Sequence, residues 1–185
     1  NCFSKMNWKL NLNIAICLYT AILTDTGSFR FDNTKPSTFE TAAKLVEIGV
    51  NPSDIYKKVY ESDSKTLVMF QAHCVSKAKF LNDDKIAYTT VYKKDMEQFS
   101  ACDDCMEGLT EKLRAIVTTR VAFVAKEMKS GGTKISMRSK FADVAQICEV
   151  FNGGGHKFAA GCTIKAPVEE AVKKILAEIK KVKQL

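Results

Sequence analysis

The chain has 185 residues, and its 28 Lys and Arg outweigh 21 Asp and Glu to give a formal charge of +7. With 46% apolar and 26% charged residues it has a globular balance, which excludes a wholly disordered chain. Nine Gly and three Pro exclude collagen-like and low-complexity classes, and no apolar run reaches the roughly 18 residues of a membrane span.

The first residue is Asn rather than Met, so the chain reads as a processed or shortened piece. Lys5 and Lys9 precede an apolar stretch in the manner of a signal peptide. Asn11, Asn13 and Thr20 interrupt that stretch and no small-residue cleavage site follows, so no signal peptide is expected. Ile14, Cys17, Leu18, Ala21, Ile22 and Asp25 recur at helical spacing and predict one buried face, with Asn13 as N-cap and Gly27 as the stop. Ser37-Thr38-Phe39-Glu40 reads as a capping box opening a second helix that ends at Gly49. Asn51-Pro52 opens a third, to about Tyr60, because proline suits the first helical position. A longer helix is expected over 64–81, with Leu67, Phe70, Cys74, Ala78 and Leu81 on one side.

Beyond Asn82-Asp83-Asp84 the pattern changes. Strands are expected over 86–92, 120–127, 134–139 and 160–165, the middle two joined as a hairpin through Ser130-Gly131-Gly132. Helices are expected over 105–116, 142–151 and 167–183, the last burying Val168, Val172, Ile175, Ile179 and Val182. The fold class is therefore α/β: two lobes joined by a connecting helix, the C-terminal lobe a mixed β-sheet flanked by helices. The expected divisions are 1–63, the connecting helix 64–81, and 82–185.

Seven cysteines, an odd number, favour a reduced, cytoplasmic chain over a secreted disulfide scaffold. The basic balance favours an anionic partner only weakly, since Lys173, Lys174, Lys180, Lys181 and Lys183 read as a solvated helix face.

Three segments could carry chemistry. Asp25 closes its helix at the negative end of the macrodipole, which is unfavourable by about 0.3–1 kcal/mol. Either a bound cation or a salt bridge to Arg30 would relieve it. Gly153-Gly154-Gly155-His156 is costly in entropy, and such a run suits close approach of backbone to a ligand, with successive N–H groups able to nest phosphate oxygens. His156 could donate to a phosphate or shuttle its proton; the alternative is a flexible turn. In 134–140 a period of two puts Lys134, Ser136, Arg138 and Lys140 on one face and Ile135 and Met137 on the other. That cationic face suits a phosphate or carboxylate, and the alternative is an edge strand protected by its charges. Cys102-Asp103-Asp104-Cys105 lacks the second ligand pair that structural zinc needs, and no thioredoxin-like context surrounds it.

These residues match a known pattern. Leu18-Tyr19-Thr20-Ala21-Ile22-Leu23-Thr24-Asp25-Thr26-Gly27-Ser28-Phe29-Arg30-Phe31 resembles the fourth motif of the DHH phosphoesterase superfamily. Arg138-Ser139-Lys140, Asp143-Val144 and Gly153–Gly161 resemble its DHH-associated C-terminal domain, within the branch of bacterial bifunctional oligoribonucleases and pAp phosphatases. The resemblance spans about residues 14–183. It implies a phosphoesterase that uses two manganese ions to hydrolyse short RNA and 3'-phosphoadenosine 5'-phosphate (pAp). It further implies Asp25 as one metal ligand, and Arg138, Ser139, Gly153, Gly154, Gly155 and His156 as substrate-binding residues, with Arg30 neutralising charge beside Asp25. An Asp-Thr-Glu-Gly-like stretch of the family falls on Asp104–Gly108, which makes the cysteines there incidental. The family's Asp-His-His triplet is absent, and neither of the two His adjoins the other. This stretch of chain is therefore expected to be inactive alone, with a non-catalytic nucleic-acid-binding module or a relative of cyclic-dinucleotide phosphodiesterases as the other readings.

Overall fold

The computed structural model describes residues 10–182; Lys5, Lys9 and Lys183 lie outside them. The chain divides into two compact units, Asn1–Asp63 and Ser64–Leu185.

The first unit is helical: α1 (Leu12–Asp25), α2 (Pro36–Glu47) and α3 (Pro52–Tyr60). Asn11, not Asn13, caps α1, its side chain accepting from the Ile14 N–H at 3.0 Å. The buried stripe is Ala15, Tyr19 and Leu23, packed with Ala42, Leu45, Val50 and Ile55. The predicted stripe is therefore displaced by one residue: Cys17, Ala21 and Asp25 are exposed. Both stripes have helical spacing, and the contact with α2 selects the one carrying the large Tyr19 ring. α2 opens at Pro36 rather than at a Ser37 box, with the Lys35 N–H donating to Thr38 Oγ1 at 3.1 Å. α3 follows the Asn51-Pro52 signal, with Asn51 Oδ1 accepting from the Ser53 N–H at 3.0 Å.

The second unit is built on α4 (Lys65–Ser76), β1 (Lys79–Leu81), β2 (Ile86–Val91) and α5 (Lys93–Gln98). A 3-10 turn (Asp103–Met106), α6 (Leu109–Arg114), β3 (Val121–Glu127) and β4 (Thr133–Ser139) follow. The remainder is α7 (Val144–Glu149), β5 (Gly154–His156), β6 (Ala159–Ile164) and α8 (Val168–Ile179). The helix expected over 64–81 stops at Ser76, because Asn82, Asp83 and Asp84 adopt φ of 53°, 51° and 62° and turn the chain into a hairpin. Short Asn and Asp side chains tolerate that left-handed region, so 79–81 pairs with β2 instead of extending α4. The helix expected over 105–116 is likewise split at Gly108, whose φ is +76°.

The strand order is β1-β2-β3-β4-β6-β5, with β2 and β3 parallel and the other pairs antiparallel. The β3–β4 hairpin runs through Gly131 and Gly132 as expected. One face packs Phe123, Ile135, Met137 and Cys162 against α7 and α8, with Tyr88 and Phe123 stacked at 4.9 Å. The opposite face packs Ala87, Ala122 and Val124 under Phe70 and Cys74 of α4 and Leu109 and Leu113 of α6. Thus α4 belongs to the packing of the second unit. No helix among the described residues is long and apolar enough to cross a membrane.

Candidate functional site

β4 lies between β3 and β6, so its charges do not guard an edge. Its alternation is as the period of two predicts: Ile135 and Met137 are fully buried, whereas Ser136 and Arg138 are half-buried and Lys134 is exposed. In an antiparallel sheet directly opposed residues point to the same side. Arg138 opposes Ala159, and Ala159 opposes His156. Arg138 and His156 therefore share one face, two strands or about 9–10 Å apart, with only the Ala159 methyl between them. The next row on that face is Ser136, Gly161 and Gly154, and the next holds Lys134 and Thr163. Within the second unit, helices α4 and α6 cover this face over β2, β3 and part of β4, and among its described residues no helix packs closely on β6 or β5 from this side. The result, within the second unit, is a floor of small residues rimmed by Arg138, His156 and Lys134. It adjoins an open cleft of about 960 Å³ lined by Lys134, Ser136, Asn152, Gly153, Gly154 and Gly161 among others. Arg138 and His156 stand one row beyond that lining.

The guanidinium is held in place. Arg138 Nε donates to Glu111 Oε1 of α6 at 2.6 Å, and one Nη donates to the Met137 carbonyl at 2.9 Å. The second Nη has no protein partner among the described residues. A carboxylate on Nε fixes the plane of the fork, which favours planar recognition of phosphate or carboxylate by what remains.

The three glycines differ in role. Gly154 and Gly155 lie in the edge strand β5 and Gly153 just precedes it, so the run is not the free nest expected. A Cβ on Gly153 would stand 2.4 Å from Gly161 O and from Cys162 Cβ, and one on Gly155, at φ +143°, would stand 2.5 Å from Ala159 O. Both glycines let β5 approach β6. A Cβ on Gly154 would meet nothing within 4 Å and would project onto the open floor.

Other expectations resolve differently. Ser139 is 1% exposed and falls on the side opposite Arg138. Its Oγ donates to Arg120 O at 3.1 Å and accepts from the Phe141 and Ala142 N–H groups at 3.0 and 2.7 Å, so it closes the turn after β4 and takes no part in this face. Lys140 lies beyond the strand, and its Nζ donates to Ile116 O at 2.6 Å. In the first unit Asp25 is exposed, and Asn33 Nδ2 donates to its Oδ2 at 3.0 Å and its carbonyl at 3.2 Å. Arg30 does not pair with it; its Nε donates to Gly27 O at 2.6 Å. The segment after Asp25 is a left-handed turn, with Gly27, Ser28 and Phe29 at φ of 54°, 60° and 63°. At the two non-glycine positions, Ser28 and Phe29, this costs about 1–2 kcal/mol each. Thr26 Oγ1, accepting from the Phe29 N–H at 3.0 Å, and the Phe29–Phe39 stack at 5.2 Å offset that cost.

The residues present do not make a metal centre by themselves. Among the described residues no group of three His, Cys, Asp or Glu could hold an ion. Asp25 offers one oriented carboxylate, and manganese, hard and octahedral in preference, needs several such oxygen or imidazole donors. Glu111 and Gly161 were missed as parts of the site. Gly161, a glycine inside a strand pattern, was the available signal, since it marks a close backbone approach; a Cβ there would stand 2.9 Å from Ile135 O.

The second unit is thus a mixed sheet with one cationic, glycine-floored half-face. Residues 83–184 match the DHHA1 domain model, and the chain belongs to that family. Over 170 residues it is 31% identical to the bifunctional oligoribonuclease and PAP phosphatase NrnA of Thermus thermophilus, covering 90% of this chain and 50% of that protein. Over 157 residues it is 28% identical to the NrnA of Bacillus subtilis, covering 85% of this chain and 49% of that one. A crystal structure of an exopolyphosphatase-related protein from Bacteroides fragilis superposes with a TM-score of 0.87 at 27% identity, over 92% of this chain and 51% of that chain. The chain thus spans about half the length of the curated relatives it matches.

Proposed function

We propose that this chain holds the substrate of a DHH-type phosphoesterase that hydrolyses short oligoribonucleotides and pAp. The observation carrying this reading is that Arg138 and His156 share one sheet face over a floor of Gly154, Gly161 and Ser136. A terminal phosphate bridges the guanidinium and the imidazole, and the glycine floor lets a sugar or base lie against the sheet. Such positioning is what a phosphoryl-transfer site needs from its binding half. In the same reading Asp25 is one ligand of a manganese site, whose remaining ligands are not among these residues; when bound, the metal supplies an activated water and neutralises phosphate charge. Free thiols at all six described cysteines fit a bacterial cytoplasm.

Calorimetric titration of the chain with pAp and with a 5'-phosphorylated diribonucleotide tests this. Saturable binding is expected, weakening as salt rises because screening reduces attraction between the phosphates and the cationic side chains. His156→Ala is expected to weaken it about two- to tenfold, the worth of one ordinary hydrogen bond. Absence of binding at millimolar ligand, or a salt-independent affinity, would contradict the reading. A second reading, a binding module without catalysis, is favoured by the lack of a three-ligand cluster among the described residues. Manganese-dependent release of mononucleotide by the chain would reject it.

A further inference from the structure

The 3-10 turn that opens the 103–114 stretch places two thiols together. A 3-10 helix has three residues per turn and about 2 Å rise per residue, so side chains at i and i+3 eclipse and their Cα atoms stand about 6 Å apart. That lies within the 4.4–6.8 Å span a disulfide bridges. Cys102 is the N-cap of the turn and Cys105 lies three residues on, with Sγ atoms 3.7 Å apart. Their environments are unequal: Cys102 is exposed and Cys105 is buried among Phe70, Leu109 and Val124. The turn is pinned on both sides. Gln71 Nε2 donates to Cys105 O at 3.1 Å and to Glu107 O at 2.6 Å, and Asp103 pairs with Lys126 of β3. The thiols are therefore held in register before any reaction.

We propose that Cys102 and Cys105 form a thiol–disulfide site in which Cys102 attacks and Cys105 resolves. Hydrogen bonds from the Cys105 thiol and from the Cys105 and Asp104 N–H groups hold the Cys102 thiol below its usual range, whereas burial pushes Cys105 up. The exposed sulfur is thus the more nucleophilic of the two near neutral pH. The oxidant is a low-molecular-weight disulfide. Cys102 thiolate attacks one sulfur of it, forming a mixed disulfide and expelling one small thiolate. Cys105 then gives up its proton to solvent and attacks Cys102 Sγ, expelling the second. Two protein thiols are oxidised and one external disulfide is reduced to two thiols. Neither thiol lines the floor of Gly154, Gly161 and Ser136, and nothing in the proposed phosphoesterase chemistry uses them.

The test is equilibration of the reduced, folded chain with oxidised glutathione, followed by alkylation of free thiols and peptide mass mapping. Trypsin releases residues 95–112 as one peptide that carries Cys102, Cys105 and no other cysteine. This peptide is expected to escape alkylation and to lose two hydrogen atoms. Cys105→Ser is expected to stop at a glutathione mixed disulfide on Cys102, and Cys102→Ser to leave Cys105 unreacted in the folded chain. Full alkylation of that peptide in the wild-type chain, a disulfide from either residue to Cys74, or failure of Cys105→Ser to trap glutathione would overturn the assignment.

Discussion

Replacement of Arg138 by alanine is expected to weaken binding of pAp by about ten- to a hundredfold while leaving the thermal midpoint within a few degrees of wild type. A hydrogen bond to a charged group is worth about 1.5–3 kcal/mol, and each 1.4 kcal/mol is a factor of ten. The loss of stability is small because the Arg138–Glu111 pair is partly exposed, with side chains 30% and 41% accessible. Partly exposed pairs contribute about 0–1 kcal/mol. Arg138→Lys restores the charge without the planar fork, so it is expected to recover only part of the affinity. Calorimetry of the three proteins side by side measures the effect. Equal affinities would remove Arg138 from the site.

The largest expected loss of stability comes from a residue outside that face. Asp95 is 4% exposed and accepts from Lys77 Nζ at 2.7 Å, from the Tyr92 N–H at 2.9 Å and lies 3.1 Å from His73 Nε2. Burial pushes its carboxyl up, but the hydrogen bonds from Lys77, Tyr92 and His73 outweigh burial and hold it below its ordinary range. Asp95→Ala leaves buried donors and a half-buried Lys77 without an acceptor, and is expected to cost about 3 kcal/mol, the lower end for breaking a buried pair. Because the folded pKa is depressed, this contribution is complete above the unfolded value of about 3.9 and fades as pH falls through the folded value. Denaturant unfolding between pH 5 and pH 2 is expected to show wild type losing stability on acidification more steeply than Asp95→Asn. Parallel curves would show that the carboxylate is not stabilised by its partners.

Local signals in the sequence were sufficient where one residue type decides the structure. Asn51-Pro52 starts α3 where its chemistry says, and the alternation of Lys134, Ser136 and Arg138 with Ile135 and Met137 survives in β4. Local signals failed where a distant partner decides. Two apolar stripes run along α1, and packing with Ala42 and Leu45 of α2, Val50 of the loop after it and Ile55 of α3 buries Ala15, Tyr19 and Leu23, with Leu18 and Ile22 packed at the margin. The triglycine run is conspicuous, but the pairing of Gly154 with Gly161 that turns it into an edge strand is a long-range fact. Ser139 shows the same limit: its neighbours in sequence are cationic, yet the pleat sends it to the opposite side, where three backbone groups occupy its hydroxyl. Asp25 reads as a charge needing relief, and the relief comes from Asn33, eight residues on, rather than from Arg30.

The substitution that separates the binding face from the fold most cleanly is Gly154→Val. A Cβ there would meet nothing within 4 Å and φ is not left-handed, so folding should tolerate valine, yet the side chain would stand on the floor between Arg138, His156 and Ser136. Calorimetric titration of this variant with pAp, at a thermal midpoint matching wild type, is predicted to show binding lost or reduced more than tenfold. Wild-type affinity in a fully folded Gly154→Val chain would contradict the placement of the anion on this face.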